Sequence, residues 1–351
     1  MKQTIYRTVA ACLAAAVLFS VPVQAEPTVS AQNAILMDGA TGRILWEHNA
    51  REQALIASTT KIMTGLLIAE DCDLKAKVRI PKAAVGIEGS SLYLKEGEVL
   101  TVETLLYGMM LHSGNDAATA LALYHSGSLE AFADAMNRKA EALGLTGTHY
   151  TNPHGLDAEG HYSTAYDLAV LAAYAMNNPV FYRVVSSKTA CLEDRSFTNH
   201  NKLLWQYEGS VGVKTGYTKS AGRILVSCAE RNGRRLIAVT LSAPDDWDDH
   251  TKMLDYGFSA YTDQQLVEVG WICSEVPVIG GAEETAEVVT ADEFYYALRA
   301  EEQVTFHCAL PAFVYAPVLA GDVAGELVVL LDGKEVGRVP LYWRYSVMEE
   351  A

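Results

Sequence analysis

A lysine one turn into an otherwise apolar helix constrains this chain more than any other feature. In Ala54–Glu70, the residues Ile62, Met63, Leu66, Leu67 and Ala69 recur at helical spacing, which predicts a buried helix. Lys61 falls inside it, and Ser58 stands three residues earlier, where the helix is expected to begin. Side chains three residues apart share a helix face, with Cβ atoms about 5–6 Å apart. The amine can then take the hydroxyl proton, close to the positive end of the helix dipole. On spacing alone, Ser58 as an N-cap with Lys61 reaching back to water is the commoner arrangement. Residues further along decide between the two.

The chain has 351 residues, half of them hydrophobic, enough for two domains. Lys2 and Arg7, the apolar run Val9–Val21 and the small-residue site Val23-Gln24-Ala25 predict an export signal over residues 1–25. The run is shorter than the roughly 20 residues of a membrane span. Loss of Lys2 and Arg7 takes the net charge from −16 to −18. So acidic a chain argues against nucleic acid and against electrostatic docking on anionic membranes. Five cysteines remain after Cys12, an odd number at irregular spacing, which predicts no disulfide framework. No histidine pair has zinc-helix spacing, so neither metal nor cofactor is expected. The cluster Asp245–Asp249 reads as the acidic first turn of a helix after Pro244.

A hairpin is expected over Asn33–Leu45, and residues 71–101 form a loop-rich excursion. Helices follow at Val102–Leu111, Asp116–Tyr124 and Leu129–Leu143. A fourth begins at a Thr164 cap and ends before Pro179. Strands return at Val211–Tyr217, Arg223–Glu230 and Arg235–Leu241, the last two joined by an Asn232-Gly233 turn. A helix over Trp247–Tyr261 closes an α+β domain, residues 26–262. Residues 263–351 change to short strands at Val267–Trp271, Ala286–Thr290, Gln303–Cys308, Glu326–Leu331 and Glu335–Pro340, a small β-sandwich-like domain with a positional role. The sequence stops soon after Trp343, which leaves no clear membrane anchor.

Two further short motifs join the first: Ser113-Gly114-Asn115 in an inter-helix loop and Lys214-Thr215-Gly216 on the first returning strand. Either alone is near noise. Ser-x-x-Lys, Ser-x-Asn and Lys-Thr-Gly in that order mark β-lactamases and penicillin-binding proteins. With Ala57–Thr64, His112–Ala117, Thr151–Gly155, His161–Thr164 and Gly212–Thr218, the chain resembles the low-molecular-mass penicillin-binding proteins that are serine-type D-alanyl-D-alanine carboxypeptidases. The runs Val314–Val318 and Ala320–Asp322 are similar to that family's second, β-rich domain. It departs in three ways: Gly114 in the middle motif, Tyr217 after the third motif, and no amphipathic anchor.

The resemblance implies a penicillin-binding-protein/β-lactamase-like fold, an exported enzyme, and a peptidoglycan stem peptide ending in D-Ala-D-Ala as substrate. β-Lactams are then covalent inhibitors. It makes Ser58 the nucleophile, Lys61 its base and Ser113 a proton relay to the leaving amine. Asn115 donates to the substrate amide, and Lys214 and Thr215 hold the terminal carboxylate. Gly216 lets an extended peptide lie along the strand, and the backbone N–H groups of Ser58 and Tyr217 form the oxyanion hole. Asn152, His154 and His161 brace loops beside the pocket, and His112 has no part in the chemistry. An endopeptidase acting on cross-links stays open as a closer rival. A β-lactamase, which needs a second base, and a non-catalytic wall-binding protein are more distant ones.

Overall fold

The computed structural model describes residues 25–351, so all but the last residue of the expected export signal lies outside the described residues. The chain opens with the hairpin β1 (Asn33–Asp38) and β2 (Ile44–His48). Asp38 Oδ1 shapes its turn by accepting from the N–H groups of Ala40 and Thr41. A single 3₁₀ turn, Ala57–Thr60, runs directly into helix α1 (Lys61–Asp71). The excursion that follows holds two short paired strands, β3 (Lys77–Arg79) and β4 (Val99–Thr101).

Helices α2 (Val102–Leu111), α3 (Asn115–Ser126), α4 (Leu129–Ala142) and α5 (Ala165–Ala175) make a block. Three start at side-chain caps: Thr101, Ser128 and Thr164 accept from the N–H three residues on. Such a cap is typically worth about 0.5–2 kcal/mol. The fourth helix ends before Pro179, as expected. It stops at Ala175, and a separate helix α6 (Pro179–Val185) begins with Asn178 as cap and Pro179 in its first turn. Asn-Pro here starts a helix because proline's missing N–H has no partner in a first turn anyway.

The hairpin β5 (Thr189–Leu192) and β6 (Arg195–Thr198) turns at Glu193 and Asp194, both left-handed, with no glycine to announce it. The short helix α7 (Leu203–Gln206) leads into β7 (Ser210–Thr218), β8 (Gly222–Arg231) and β9 (Arg234–Leu241). These strands join the first hairpin in one antiparallel sheet, ordered β2-β1-β9-β8-β7. Ile35, Met37, Val226 and Val239 pack with the helical block, while Leu36, Leu225 and Ala238 pack with α8 (Asp246–Ala260) on the other face. With helices on both faces, the central strands are apolar throughout rather than alternating. As expected for Asp245–Asp249, acidic residues occupy the first turn of α8.

Past α8 the chain is all strand: β10 (Thr262–Val267), β11 (Ile272–Ile279), β12 (Thr285–Thr290), β13 (Phe294–Leu298), β14 (Val304–Ala309), β15 (Val314–Tyr315), β16 (Val323–Leu331) and β17 (Lys334–Trp343). Of the expected strand Val267–Trp271 only Val267 is strand, the last residue of β10; the rest is a turn into β11 at left-handed Gly270. Six strands form one sheet, ordered β14-β16-β17-β12-β11-β15, around Val276, Val288, Leu327, Val329 and Leu341; β10 pairs with β13. Arg43 reaches across from β1–β2 to the carbonyl of Ala297 and to Glu302, tying the two regions together. Among the described residues, no helix is long and apolar enough to cross a membrane.

Burial also locks histidines neutral. His250 lies between the sheet and α8, 2.6 Å from Ser227 Oγ and 2.9 Å from Thr240 Oγ1, and burial pushes it down to about 3. A group held neutral in the folded state but free to protonate at about 6.5 when unfolded stabilises above that pH, and the benefit is lost as pH falls. Stability is therefore expected to fall between pH 6.5 and 5, above the carboxylate range, by up to about 1.4 kcal/mol per pH unit for this histidine. Thermal unfolding of the parent and of His250→Asn checks it: the variant must show a shallower slope, and equal slopes refute the assignment.

Candidate active site

Ser58 sits in the 3₁₀ turn ahead of α1, and neither that turn nor α1 has a side-chain cap at its start. The hydroxyl is thus not used as an N-cap. Ala57 before it is held at φ +43°, a strained value for a residue with a Cβ. Two glycines from distant segments allow this packing. A Cβ on Gly155 would lie 1.8 Å from the carbonyl oxygen of Ala57. On Gly216 it would lie 3.3 Å from both Ile56 O and the backbone N of Ser58. The missing side chain of Gly216 therefore gives room to the serine segment.

Lys61 is fully buried, with Nζ 2.9 Å from Ser58 Oγ, 2.6 Å from Asn115 Oδ1 and 2.7 Å from the His154 carbonyl. Burial lowers its pKa well below the usual lysine value, Lys214 lowers it further, and Asp116 opposes. A neutral amine here can donate its two N–H groups to Asn115 and His154, which leaves the lone pair for the Ser58 hydroxyl. Asn115 is fixed inward, since its Nδ2 donates to the Glu88 carbonyl at 2.5 Å. Asn115 therefore positions Lys61 through its Oδ1, while the second N–H of its amide is not taken up by Glu88.

Ser113 occupies the loop between α2 and α3 at φ +63°, with its side chain on the cleft. Among the described residues, no hydrogen bond joins its hydroxyl to Ser58 or Lys61. Lys214 on β7 is 2 % exposed; its Nζ donates to Thr215 O at 2.9 Å, and burial brings it down to about 7. No carboxylate among the described residues lies within ion-pair distance of either lysine, so the site carries uncompensated basic groups suited to an anion.

Ser58, Ser113, Thr215, Gly216 and Tyr217 line one cleft of about 290 Å³, which Tyr217 overhangs. Lys61, Asn115 and Lys214 stand behind its wall. A larger hollow of about 500 Å³ lies elsewhere, by Gly39, Asn177, Glu230 and Arg235; it holds no nucleophile, so the smaller cleft is the site. Ser90, His200, Arg223, Asp246 and Trp247 also stand on the cleft wall, none of them expected from the sequence. Only His200 had a signal, the flanking pair Asn199 and Asn201. Asn199 donates to the carbonyls of Val185 and Ser187, and Asn201 Oδ1 accepts from Leu203 N–H. Burial, Lys214 and His112 hold His200 down at about 4.

The bracing residues are inward-facing too. His161 lies 2.7 Å from Thr60 Oγ1 and accepts from the Thr151 N–H, and burial pushes it to about 4. Asn152 Oδ1 accepts from the N–H of Gly155, shaping the loop whose His154 carbonyl meets Lys61.

Comparison with known families now decides the class. Residues 20–245 match the D-alanyl-D-alanine carboxypeptidase family model. The chain belongs to this family. The rest of this peptidase agrees, since residues 261–349 match the C-terminal domain of penicillin-binding protein 5. It is 35% identical over 331 residues to D-alanyl-D-alanine carboxypeptidase DacF of Bacillus subtilis, covering 89% of this chain and 84% of that one. It is 35% identical over 342 residues to DacD of Escherichia coli, covering 92% and 88%. The structure of penicillin-binding protein 5 from Haemophilus influenzae superposes with TM-score 0.80 at 30% identity, covering 93% of this chain and all of that one. The peptidase is accordingly a hydrolase of the penicillin-binding class, with the α+β catalytic fold and β-rich C-terminal region that its sequence implied.

Proposed function

We propose that this peptidase removes the terminal D-Ala from peptidoglycan stem pentapeptides through an acyl-enzyme on Ser58, on the outer side of the cytoplasmic membrane. One observation carries the reading: a fully buried lysine amine 2.9 Å from a hydroxyl that lines a cleft. Neutral Lys61 takes the Ser58 proton as Oγ attacks the penultimate D-Ala carbonyl. The backbone N–H groups of Ser58 and Tyr217 receive the oxyanion; a lost donor of this kind typically costs about 10²–10³ in rate. The proton passes from Lys61 by way of Ser113 to the leaving amine, and D-Ala departs. Water then cleaves the ester, and Ser58 regains its proton.

Lys214 and Thr215 receive the substrate's terminal carboxylate, and binding it restores charge to a lysine that burial had brought to about 7. A β-lactam meets the same attack but leaves an acyl group that water removes slowly. The only carboxylate on the cleft wall among the described residues, Asp246, is paired with Arg223 at 2.6 Å, which disfavours a second base of the β-lactamase kind. In this reading residues 26–262 form the catalytic domain and 263–351 a domain that positions it.

The test is D-Ala release from a stem pentapeptide set against cleavage of a cross-linked dimer by the same preparation. Release is expected to dominate kcat/KM by at least about tenfold, a difference of some 1.4 kcal/mol in transition-state binding. Faster cleavage of the dimer would make the enzyme an endopeptidase.

A further inference from the structure

Of the five free thiols among the described residues, two pack against the same core in the β-rich region. The antiparallel pairings from β14 through β16, β17 and β12 to β11 make β14 and β11 run parallel to one another at opposite ends of that five-strand run. The sheet curls until these two strands meet. Trp271, just ahead of β11, stands edge-on to Phe306 of β14 with ring centroids 5.3 Å apart. Two residues further along each segment come Cys273 and Cys308. Both pack against one core, that of Val276, Leu327 and Val329. Cys273 is also the extra residue of a β-bulge against β12, between Ile272 and Ser274, so its backbone is not locked into the ladder. Cys72, Cys191 and Cys228 lie in the other region.

We infer that Cys273 and Cys308 form a disulfide that closes the end strands of this sheet onto each other. The reaction is thiol–disulfide exchange with a disulfide oxidant of the extracytoplasmic space. One thiolate attacks the oxidant and releases half of it as a thiol. The second thiolate attacks the resulting mixed disulfide and releases the other half. Two protein thiols lose two electrons and their protons, and one disulfide is reduced to two thiols. The sulfurs are close enough that each perturbs the other's ionisation, and burial pushes Cys273 up to about 11. Exchange is therefore slow at neutral pH. The cross-link ties the chain's two passes through the sheet edge, and it restricts the unfolded ensemble rather than adding a contact. An odd cysteine count conceals such a pair because spacing along the chain says nothing about which strands meet.

The test uses the purified mature chain, oxidised to completion with glutathione disulfide at about pH 9, where the thiolate fraction is larger than at neutral pH. Free thiols are then alkylated and peptides mapped without reduction. The expected result is one linkage, Cys273 to Cys308, with the other three cysteines alkylated after unfolding. In calorimetry the β-rich region of the oxidised protein is expected to melt about 10 °C higher than after reduction. In Cys273→Ser that difference must vanish. Alkylation of both Cys273 and Cys308 after oxidation, or linkage of either to another cysteine, overturns the pairing. A linkage without a reductant-dependent melting shift overturns its closing role.

Discussion

Ser58→Ala is expected to leave a folded protein that a fluorescent penicillin no longer labels, with D-Ala release reduced by about 10⁶-fold. The hydroxyl is the only atom of this residue asked to form a covalent bond, so its loss removes the acyl-enzyme pathway altogether. The structural cost is small by comparison. Ser58 caps no helix, and its described side-chain partner is Lys61, which keeps Asn115 and the His154 carbonyl. One lost hydrogen bond is worth about 1 kcal/mol. Gel fluorescence and a thermal melt, run side by side, separate the two effects. Persistent labelling of the alanine variant would sink the assignment of the nucleophile.

Lys61→Met is expected to slow acylation by about 10²–10⁴-fold, the usual contribution of a positioned base. Methionine approximates the volume of the buried stem, so packing is kept. Two acceptors, Asn115 Oδ1 and the His154 carbonyl, lose their donor, at a cost of about 1–3 kcal/mol each. Removal of a desolvated amine offsets part of that. The readout that a merely structural role would not move is the pH profile. Because the amine acts when neutral, the parent's acylation rate rises with pH through the lysine's pKa, which burial and Lys214 have lowered. That limb should be missing in the variant. The double variant with Ser58→Ala should be no slower than Ser58→Ala alone, since the two groups act as a unit. Acylation by Lys61→Met within tenfold of the parent, with its pH limb intact, assigns the base elsewhere.

The expected antiparallel strands and helix starts follow from local signals that the structure repeats. Thr101, Ser128 and Thr164 cap their helices from side chains visible in the sequence, and Asn232 and Gly233 turn β8 into β9 at left-handed angles. Where local signals are ambiguous, sequence and structure part. Asn178-Pro179 begins a further short helix and Glu193-Asp194 turns a hairpin without glycine, and neither element was expected. The motif residues were likewise legible because each stands at a junction of elements, yet their partners were not. Nothing near Asn115 in the chain points to Glu88 O and Lys61 Nζ, and nothing near Gly216 points to the Ser58 backbone.

By itself, then, the order of residues determined which side chains carry reactivity, on what kind of element each stands, and that an α+β region precedes a β-rich one. Only the tertiary structure decided which of them are dry, which face one another, and which strangers in sequence, such as His200, Arg223 and Trp247, share their cleft. The physical reason is range. Propensity, capping and turn chemistry act over a few residues, whereas desolvation and hydrogen-bond pairing depend on whatever the fold sets opposite, here segments from Ser58 to Trp247.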